Sequence, residues 1–406
     1  MHINSHQTLD MLSQLHPSME DMLPENVMFD ILSRLSVKSV IYCTCVCKKW
    51  RNLVSDSYFV HLHHSRLPSC LMIDCGPILE LVEVEHEVEY RRLTVNHVKT
   101  LNLHLSAVRA SNQIIQVGSV NGLICVCHRY DATYIFNPVV EEYMILPAEP
   151  RLKRLLLSYG FGVSMEGEYK VIRISGRRIS LNPSVHAVEI DVYTLGTDQW
   201  RSLGQTPYYL YNLLGKVSSG VFVSGHVYWI ADGQIYDFDL TTETFKLFTS
   251  PPGDNQRSKQ MLGVLKGSLS HFSWCWLGLE VWVMKEESWY KVIAIPENID
   301  HFLKSKVWTP LCLVEGSNGT SILIFATIVR TEKLVACYCL DTNMILHLNL
   351  PAHYSVSTVM TYRPSLLKLQ NFGSERVHSL YNAIDNICVG PGGSSSDTGR
   401  RVNCIS

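Results

Sequence analysis

The feature that most constrains this chain is a long-period repeat running through its carboxy-terminal three quarters. Past residue 115, β-branched and aromatic residues alternate between clusters of Gly, Pro, Asn and Asp, the pattern of short strands and turns. Five times a large apolar residue is followed seven positions later by another: Phe136 and Tyr143, Tyr193 and Trp200, Phe238 and Phe245, Trp282 and Trp289, Tyr338 and Ile345. Polar turns such as "GTD", "TTE", "KEES" and "DTN" lie inside most pairs, so each reads as two strands joined by a tight hairpin. The first members follow one another at intervals of 57, 45, 44 and 56 residues. A glycine opening a further strand recurs upstream, at Gly122, Gly225, Gly267 and Gly319. Each repeat thus supplies an inner strand pair and an outer hairpin, roughly one four-stranded blade. Such a unit cannot hide its apolar face alone and must stack on neighbours. With "SCLMIDCG" and "ILELVEVEHEVEYRRLTV" available to build or close another blade, the spacing predicts a β-propeller of about six irregular blades. A two-sheet sandwich is the alternative, because strand alternation alone does not separate stacked from radial sheets.

The first quarter follows a different period. Val27, Met28, Ile31, Leu32 and Leu35 fall at helical spacing, and Pro24 supplies a start signal. After a break near Ser36 to Ser39 the pattern resumes with Val46, Cys47, Trp50, Leu53 and Val54, so two or three short helices are expected. A module this small buries too little surface to be stable by itself and is expected to lean on a partner. Its run "IYCTCVCKKW" carries cysteines at every second position. On one continuous helix Cys43 and Cys47 share a face while Cys45 lies about 200° around, so the three cannot converge on a metal ion. Cys43 and Cys47 are expected as compact core residues.

Composition excludes several function classes. Thirty-five basic against thirty-seven acidic residues leave no basic footprint for nucleic acid or for a membrane surface. The longest apolar run, "ILIFATIV", is shorter than the roughly 20 residues of a membrane-spanning helix. The first twenty residues lack the pattern of a secretory leader, and with thirteen cysteines this points to free thiols and a cytoplasmic or nuclear setting. No nucleophile elbow, phosphate-cradling glycine loop or H-E-x-x-H pair is present. The carboxylates Asp191, Asp237 and Asp239 are scattered, and Cys125 with Cys127 and Cys337 with Cys339 read as apolar stripes on strands, so neither metal, cofactor nor catalysis is expected. His61, His63 and His64 read as solvated or partner-facing, and "GPGGSSSDTGR" as a flexible segment. Binding is expected at a propeller rim, where the loop "GQTPYYLYNLLGK" crowds Tyr208, Tyr209 and Tyr211 as candidate target contacts; stacking over a neighbouring blade is an equal reading.

The stretch "LPENVMFDILSRLSVKSVIYCTCVCKKWRNLVSDSYFVHLHHSR" resembles an F-box, through Leu23-Pro24, Ile31-Leu32-x-x-Leu35, Val37-Lys38-Ser39 and Val46-Cys47-Lys48-Lys49-Trp50. Ser36 stands where that family often has proline, and Tyr42, Cys43 and Cys45 where basic residues are common. Farther on, "YIFNPVVEEYMILP", "YGFGVSMEGEYKVIRI", "VEIDVYTLGTDQWRSLG", "SGHVYWIADGQIYDFDLTTETF" and "LEVWVMKEESWYKVIAIP" are similar, in this order, to the F-box-associated interaction domain of the plant F-box family, a kelch-like propeller. The paired-glycine signature of kelch repeats proper is absent. The resemblance implies a tail over 1–20, an F-box over 21–66, the associated propeller over 67–365 and a flexible tail over 366–406. It further implies docking on a Skp-type adaptor, and through it on cullin and RING subunits, by Leu23, Pro24, Val27, Ile31, Leu35, Val37, Val46 and Trp50. The propeller would then hold an unidentified target protein, making the chain a non-catalytic substrate-recognition subunit of an SCF-type ubiquitin ligase. The rival readings are a catalytic propeller with an incidental helical module, a non-degradative adaptor-bound scaffold, and a helix-turn-helix DNA reader built on "CKKWR".

Overall fold

A computed structural model describes residues 23–74, 78–87, 92–102, 114–128, 132–147, 156–178, 186–205, 219–251, 259–275, 278–296, 309–315, 321–329, 332–348, 358–373 and 377–379. The described residues begin with four short helices where two or three were expected: α1 (Glu25–Leu32), α2 (Val37–Cys43), α3 (Lys48–Ser55) and α4 (Ser57–Arg66). Each start is chemically marked. Pro24 precedes α1, its carbonyl accepting from the amides of Val27 and Met28. Ser36, where the family often has proline, caps α2 by accepting from the Ser39 amide at 3.3 Å. Asp56 caps α4 through the amides of Tyr58 and Phe59 at 2.8 and 3.3 Å.

The α3 start corrects the expectation for the cysteines. Residues 44–46 form a turn, so Cys43 and Cys47 are not on one helix. Cys43 ends α2 and is buried, whereas Cys47 is half-buried and its Sγ accepts from the Trp50 amide at 3.4 Å. Cys47 is therefore a cap and not a core residue. The helical core consists of Met28, Leu32, Val40, Cys43, Leu53, Val54, Phe59 and Val60, joined from far along the chain by Leu366. His63 belongs to it as well: fully enclosed, stacked on Phe59 with centroids 5.7 Å apart, its Nε2–H donating to the Leu35 carbonyl at 3.0 Å. The reading of His63 as solvated or partner-facing is thereby overturned.

The strands form six blades. Blade 1 takes β1 (Cys70–Asp74), β2 (Ile78–Glu87) and β3 (Arg92–Asn102). Blade 2 takes β4 (Ile114–Val120), β5 (Leu123–His128), β6 (Thr133–Asn137) and β7 (Glu142–Ile145); blade 3 takes β8 (Leu156–Val163), β9 (Tyr169–Arg178), β10 (His186–Thr194) and β11 (Trp200–Gln205). Blade 4 takes β12 (Val221–Val223), β13 (His226–Ala231), β14 (Gln234–Asp239) and β15 (Thr244–Thr249). Blade 5 takes β16 (Lys259–Leu265), β17 (Ser268–Cys275), β18 (Gly278–Lys285) and β19 (Ser288–Pro296), and blade 6 β20 (Thr309–Glu315), β21 (Ser321–Val329), β22 (Glu332–Cys339) and β23 (Met344–Leu348). A last inner strand, β24 (Thr358–Tyr362), pairs antiparallel with β1 and completes blade 1. The ring therefore closes by joining the two ends of the propeller sequence, and the innermost strands β24, β4, β8, β12, β16 and β20 touch in cyclic order. That cycle excludes the sandwich.

Four of the five spaced apolar pairs face each other across their hairpins: Phe136 and Tyr143, Tyr193 and Trp200, Phe238 and Phe245, Tyr338 and Ile345. In blade 5 the register differs. Trp289 pairs with Met284 and Trp282 with Lys291, because Glu286 and Glu287, with φ of 48° and 60°, make a two-residue turn; a bulge between Val281 and Trp282 shifts the register only beyond these pairs. The recurring glycines mark two-residue turns between first and second strands, as at Asn121-Gly122 with φ of 49° and 81°. At Gly122 a Cβ would also lie 2.2 Å from that of Ser365. Gly319 lies outside the described residues.

Ser365 belongs to a segment that sequence reading assigned to the end of the propeller and the start of a flexible tail. Residues 363–373 instead run packed beneath blade 2. Asn137 Nδ2 donates to the carbonyls of Ser365 and Leu367 at 2.9 and 2.7 Å, and Glu142 Oε2 accepts from the Leu369 amide at 2.6 Å. The short helix η1 (Leu369–Phe372) puts Leu369, fully buried, into the core between blades 2 and 3, and β25 (Val377–Ser379) adds a fifth strand outside β7. A flexible tail from residue 366 therefore does not hold for 366–373 and 377–379. The run at 390–400 lies outside the described residues.

Candidate docking surface

Helices of seven to ten residues cannot turn every apolar side chain inward. On α1, Met28 and Leu32 face the core, and Val27 and Ile31, each one residue earlier and so about 100° around the helix, flank that face at 36% and 46% exposure, with Pro24 exposed at the helix start. On α2, Val40 and Cys43 are buried, which leaves Ile41 and Tyr42 outside at 39% and 63%. Val46, in the turn before α3, is 59% exposed. Exposed apolar side chains at this density mark surfaces that meet another molecule.

The eight residues expected at the adaptor occupy three different settings. Pro24, Val27, Ile31 and Val46 are open to solvent. Leu35 and Val37, with Ile41, line a cleft of roughly 810 Å³ between the helices and the propeller, whose far wall includes Pro138, Val139 and Pro364. Leu23 and Trp50 are half-buried against the module's own core, and the indole N–H of Trp50 is enclosed without a hydrogen-bond partner. Ile41 and Tyr42 are the residues that sequence reading missed. Their signal was present: they are the apolar residues on α2 that fall outside the face of Val40 and Cys43.

The module is held by polar contacts on both sides. Asp30 binds Arg34 at 3.0 Å and Arg66 at 2.8 Å, tying the end of α4 to α1, and hydrogen bonding by the two guanidiniums, Arg34 foremost, holds its carboxyl below the usual range. His64 Nδ1–H donates to the Pro364 carbonyl at 2.8 Å and fastens α4 to the segment beyond β24. His64 thus serves a contact within the chain, and of the three histidines only His61 is exposed.

On the propeller, Tyr208, Tyr209 and Tyr211 lie outside the described residues. The three carboxylates raised as catalytic candidates each have another partner. Asp191 binds Arg173 at 2.8 Å, and that guanidinium lies 4.2 Å over Trp200. Asp237 meets His226 Nδ1 at 2.8 Å; burial pushes its carboxyl up and the histidine pulls against it. Asp239 closes a turn by accepting from the Thr241 amide at 2.8 Å; burial raises its carboxyl, but the amides and hydroxyl of Thr241 and Thr242 outweigh that and leave it low. Cys125, Cys127, Cys337 and Cys339 are buried, and burial pushes the Cys127 thiol up to about 11. Among the described residues no three His, Cys, Asp or Glu side chains gather as a metal site, and no helix is long and apolar enough to cross a membrane.

Comparison with known proteins matches this division. The F-box domain model matches residues 21–62, and the F-box associated beta propeller domain model matches residues 78–369. The F-box protein At3g07870 of Arabidopsis thaliana is 29% identical over 367 residues, which span 77% of this chain and 82% of that protein. The F-box/kelch-repeat protein At3g23880 of the same plant is 28% identical over 306 residues, 68% of this chain and 79% of that one.

Proposed function

The chain belongs to the plant F-box proteins that carry a carboxy-terminal F-box-associated β-propeller, and from that premise we propose that it is the substrate-recognition subunit of an SCF-type ubiquitin ligase. In this reading the helical module docks on a Skp-type adaptor, which joins it to cullin and RING subunits in the cytoplasm or nucleus, while the propeller holds a target protein. The chain supplies no covalent step. Its contribution is proximity: holding a target lysine near a charged ubiquitin-conjugating enzyme replaces a rare encounter with a high effective concentration.

The observation that carries the proposal is that Val27, Ile31, Tyr42 and Val46, all apolar or aromatic, are left open on a module whose core is completed by residues of the propeller. Proximity is useful only if the target is held at a defined place relative to the adaptor. The His64–Pro364 hydrogen bond and Leu366 in the helical core supply such a fixed junction.

The test is co-expression of the 406-residue chain with a Skp-type adaptor, followed by size-exclusion chromatography and titration. The double substitution Ile31→Ala with Val46→Ala is expected to weaken adaptor binding by about 2 to 4 kcal/mol, roughly thirty- to a thousandfold, with an unchanged circular dichroism spectrum. Failure of the folded chain to associate with any Skp-type adaptor would overturn the reading. If the complex forms, target turnover on deletion of the protein separates a degradative receptor from a scaffold.

A further inference from the structure

A second, smaller pocket of roughly 210 Å³ opens where the inner strands β4 and β24 end beside α4. Its wall includes His64 and Ser69 from the helical side, Ser119 and Asn121 from the β4–β5 hairpin, and Thr361 and Arg363 from the closing strand and the residue after it. Among the described residues no carboxylate lines it. Arg363 is half-buried. Among the described residues its enclosed Nε has no hydrogen-bond partner, and its one side-chain bond is from Nη2 to Ser69 Oγ at 3.4 Å, the long end of the range. Among the described residues no ion pair involves Arg363.

This is an uneconomical arrangement for a guanidinium. Removing a cation from water is unfavourable unless an opposite charge or several acceptors replace the lost hydration, and an enclosed N–H without an acceptor adds to the cost. Elsewhere in the same propeller enclosed cations are matched: Arg173 has Asp191, and Lys170 has Glu243 at 3.0 Å and the Leu240 carbonyl at 2.8 Å. The hydroxyls around Arg363 rotate freely and donate as readily as they accept. His64 already spends its Nδ1–H on Pro364.

We propose that this pocket binds a phosphate group, with Arg363 as the charged ligand and the hydroxyls of Ser69, Ser119 and Thr361 as neutral donors. The planar fork of a guanidinium offers paired N–H groups at the spacing of phosphate oxygens, and partial enclosure strengthens the attraction relative to open water. The group comes either from a small free phosphate compound or from a phosphorylated side chain on a bound protein; both present the same oxyanion. Because the pocket is walled by the helical module, by blades 1 and 2 and by Phe222 of blade 4, occupancy stabilises their junction.

The experiment titrates orthophosphate into the full chain by calorimetry and follows the thermal midpoint, with chloride at matched ionic strength as the control. A saturable phosphate-specific heat and a raised midpoint are expected. Arg363→Gln is expected to weaken binding roughly ten- to a hundredfold, and Ser119→Ala a few-fold, the second variant guarding against a folding defect in the first. A short phosphoserine peptide is run in parallel. Tighter binding of the peptide than of orthophosphate supports the site and assigns the phosphate to a protein chain, and equal or weaker binding supports it and assigns the phosphate to a small compound. No phosphate-specific effect on the wild type, or undiminished binding by a folded Arg363→Gln, overturns the proposal.

Discussion

The helical module and the propeller bury apolar side chains under different constraints. Six large apolar residues are exposed on residues 23–66 alone, Val27, Ile31, Ile41, Tyr42, Val46 and Tyr58, while among the propeller residues whose burial is described six more are exposed. A closed ring gives every blade two neighbours, so both faces of each sheet are covered: the blade 2–3 core contains Cys125, Ile135, Phe161 and Tyr193, and the blade 3–4 core Ile172, Val192, Trp229 and Phe238. Four short helices have no such closure. They complete their core with Leu366 and Leu367 from the segment after β24 and Val139 from the blade 2 hairpin, and leave the exposed apolar residues uncovered. A region that satisfies itself reads as scaffold, and one that does not reads as an interface.

The most severe way to break this contrast is to cut one large side chain from each core. Phe59→Ala, at a fully enclosed position, is expected to cost about 3 to 5 kcal/mol and to open the helices, with loss of amide-exchange protection confined to 23–66. Trp229→Ala is expected to cost a similar amount in the propeller and to leave the helices protected, since the two cores are separate. Uniform loss of protection in either variant would mean the two regions unfold as one.

A milder change sharpens the view that the module borrows its missing wall. Asn137→Ala leaves the carbonyls of Ser365 and Leu367 without their donor and is expected to cost about 1 to 3 kcal/mol. Faster exchange at 365–369 and in α4 should accompany it; unchanged exchange in α4 would show that the segment does not support the module. The corresponding surface change, Ile31→Ala with Val46→Ala, should move folding stability by less than about 0.5 kcal/mol while weakening adaptor binding.

The smallest expected effect is on pH. Burial, foremost, holds the imidazoles of His63 and His64 below their usual range. His63 donates from Nε2 to Leu35, and its Nδ1 is enclosed without a partner, so a second proton would bury an N–H with no acceptor. A base with a depressed folded pKa binds fewer protons folded than unfolded, so its contribution is present above the ordinary histidine value of 6.5 and is lost as pH falls below it. The denaturation midpoint of the helical module should therefore drop between pH 7.5 and 5, and His63→Gln should flatten that dependence. The propeller's midpoint should follow these two histidines far less.

Much of the fold was legible in local patterns. The seven-residue spacing of apolar pairs identified hairpins at Phe136, Tyr193, Phe238 and Tyr338 because a short hairpin sets which residues face each other. It misplaced the blade 5 register because turn length there rests on two glutamates in the left-handed region, where glycine or asparagine would have been the signal. The exposed apolar residues were legible in part: helical spacing grouped Val27 and Ile31 with Met28 and Leu32 as one apolar pattern and only the F-box resemblance set the first two apart, while the same reasoning run through residues 43–47 put Cys47 on a helix face that the turn at 44–46 removes.

Sequence by itself thus determined the elements, the blade period and the division into a helical and a β unit, because periodicity and turn chemistry act over a few residues. Tertiary structure decided what those elements meet. That β24 completes blade 1, that His64 bonds to a carbonyl 300 residues away and that Leu366 fills the helical core all depend on ring closure bringing the two ends of the chain side by side. No local pattern encodes such a meeting, since its partners are chosen by the geometry of six stacked blades and not by neighbours in the chain.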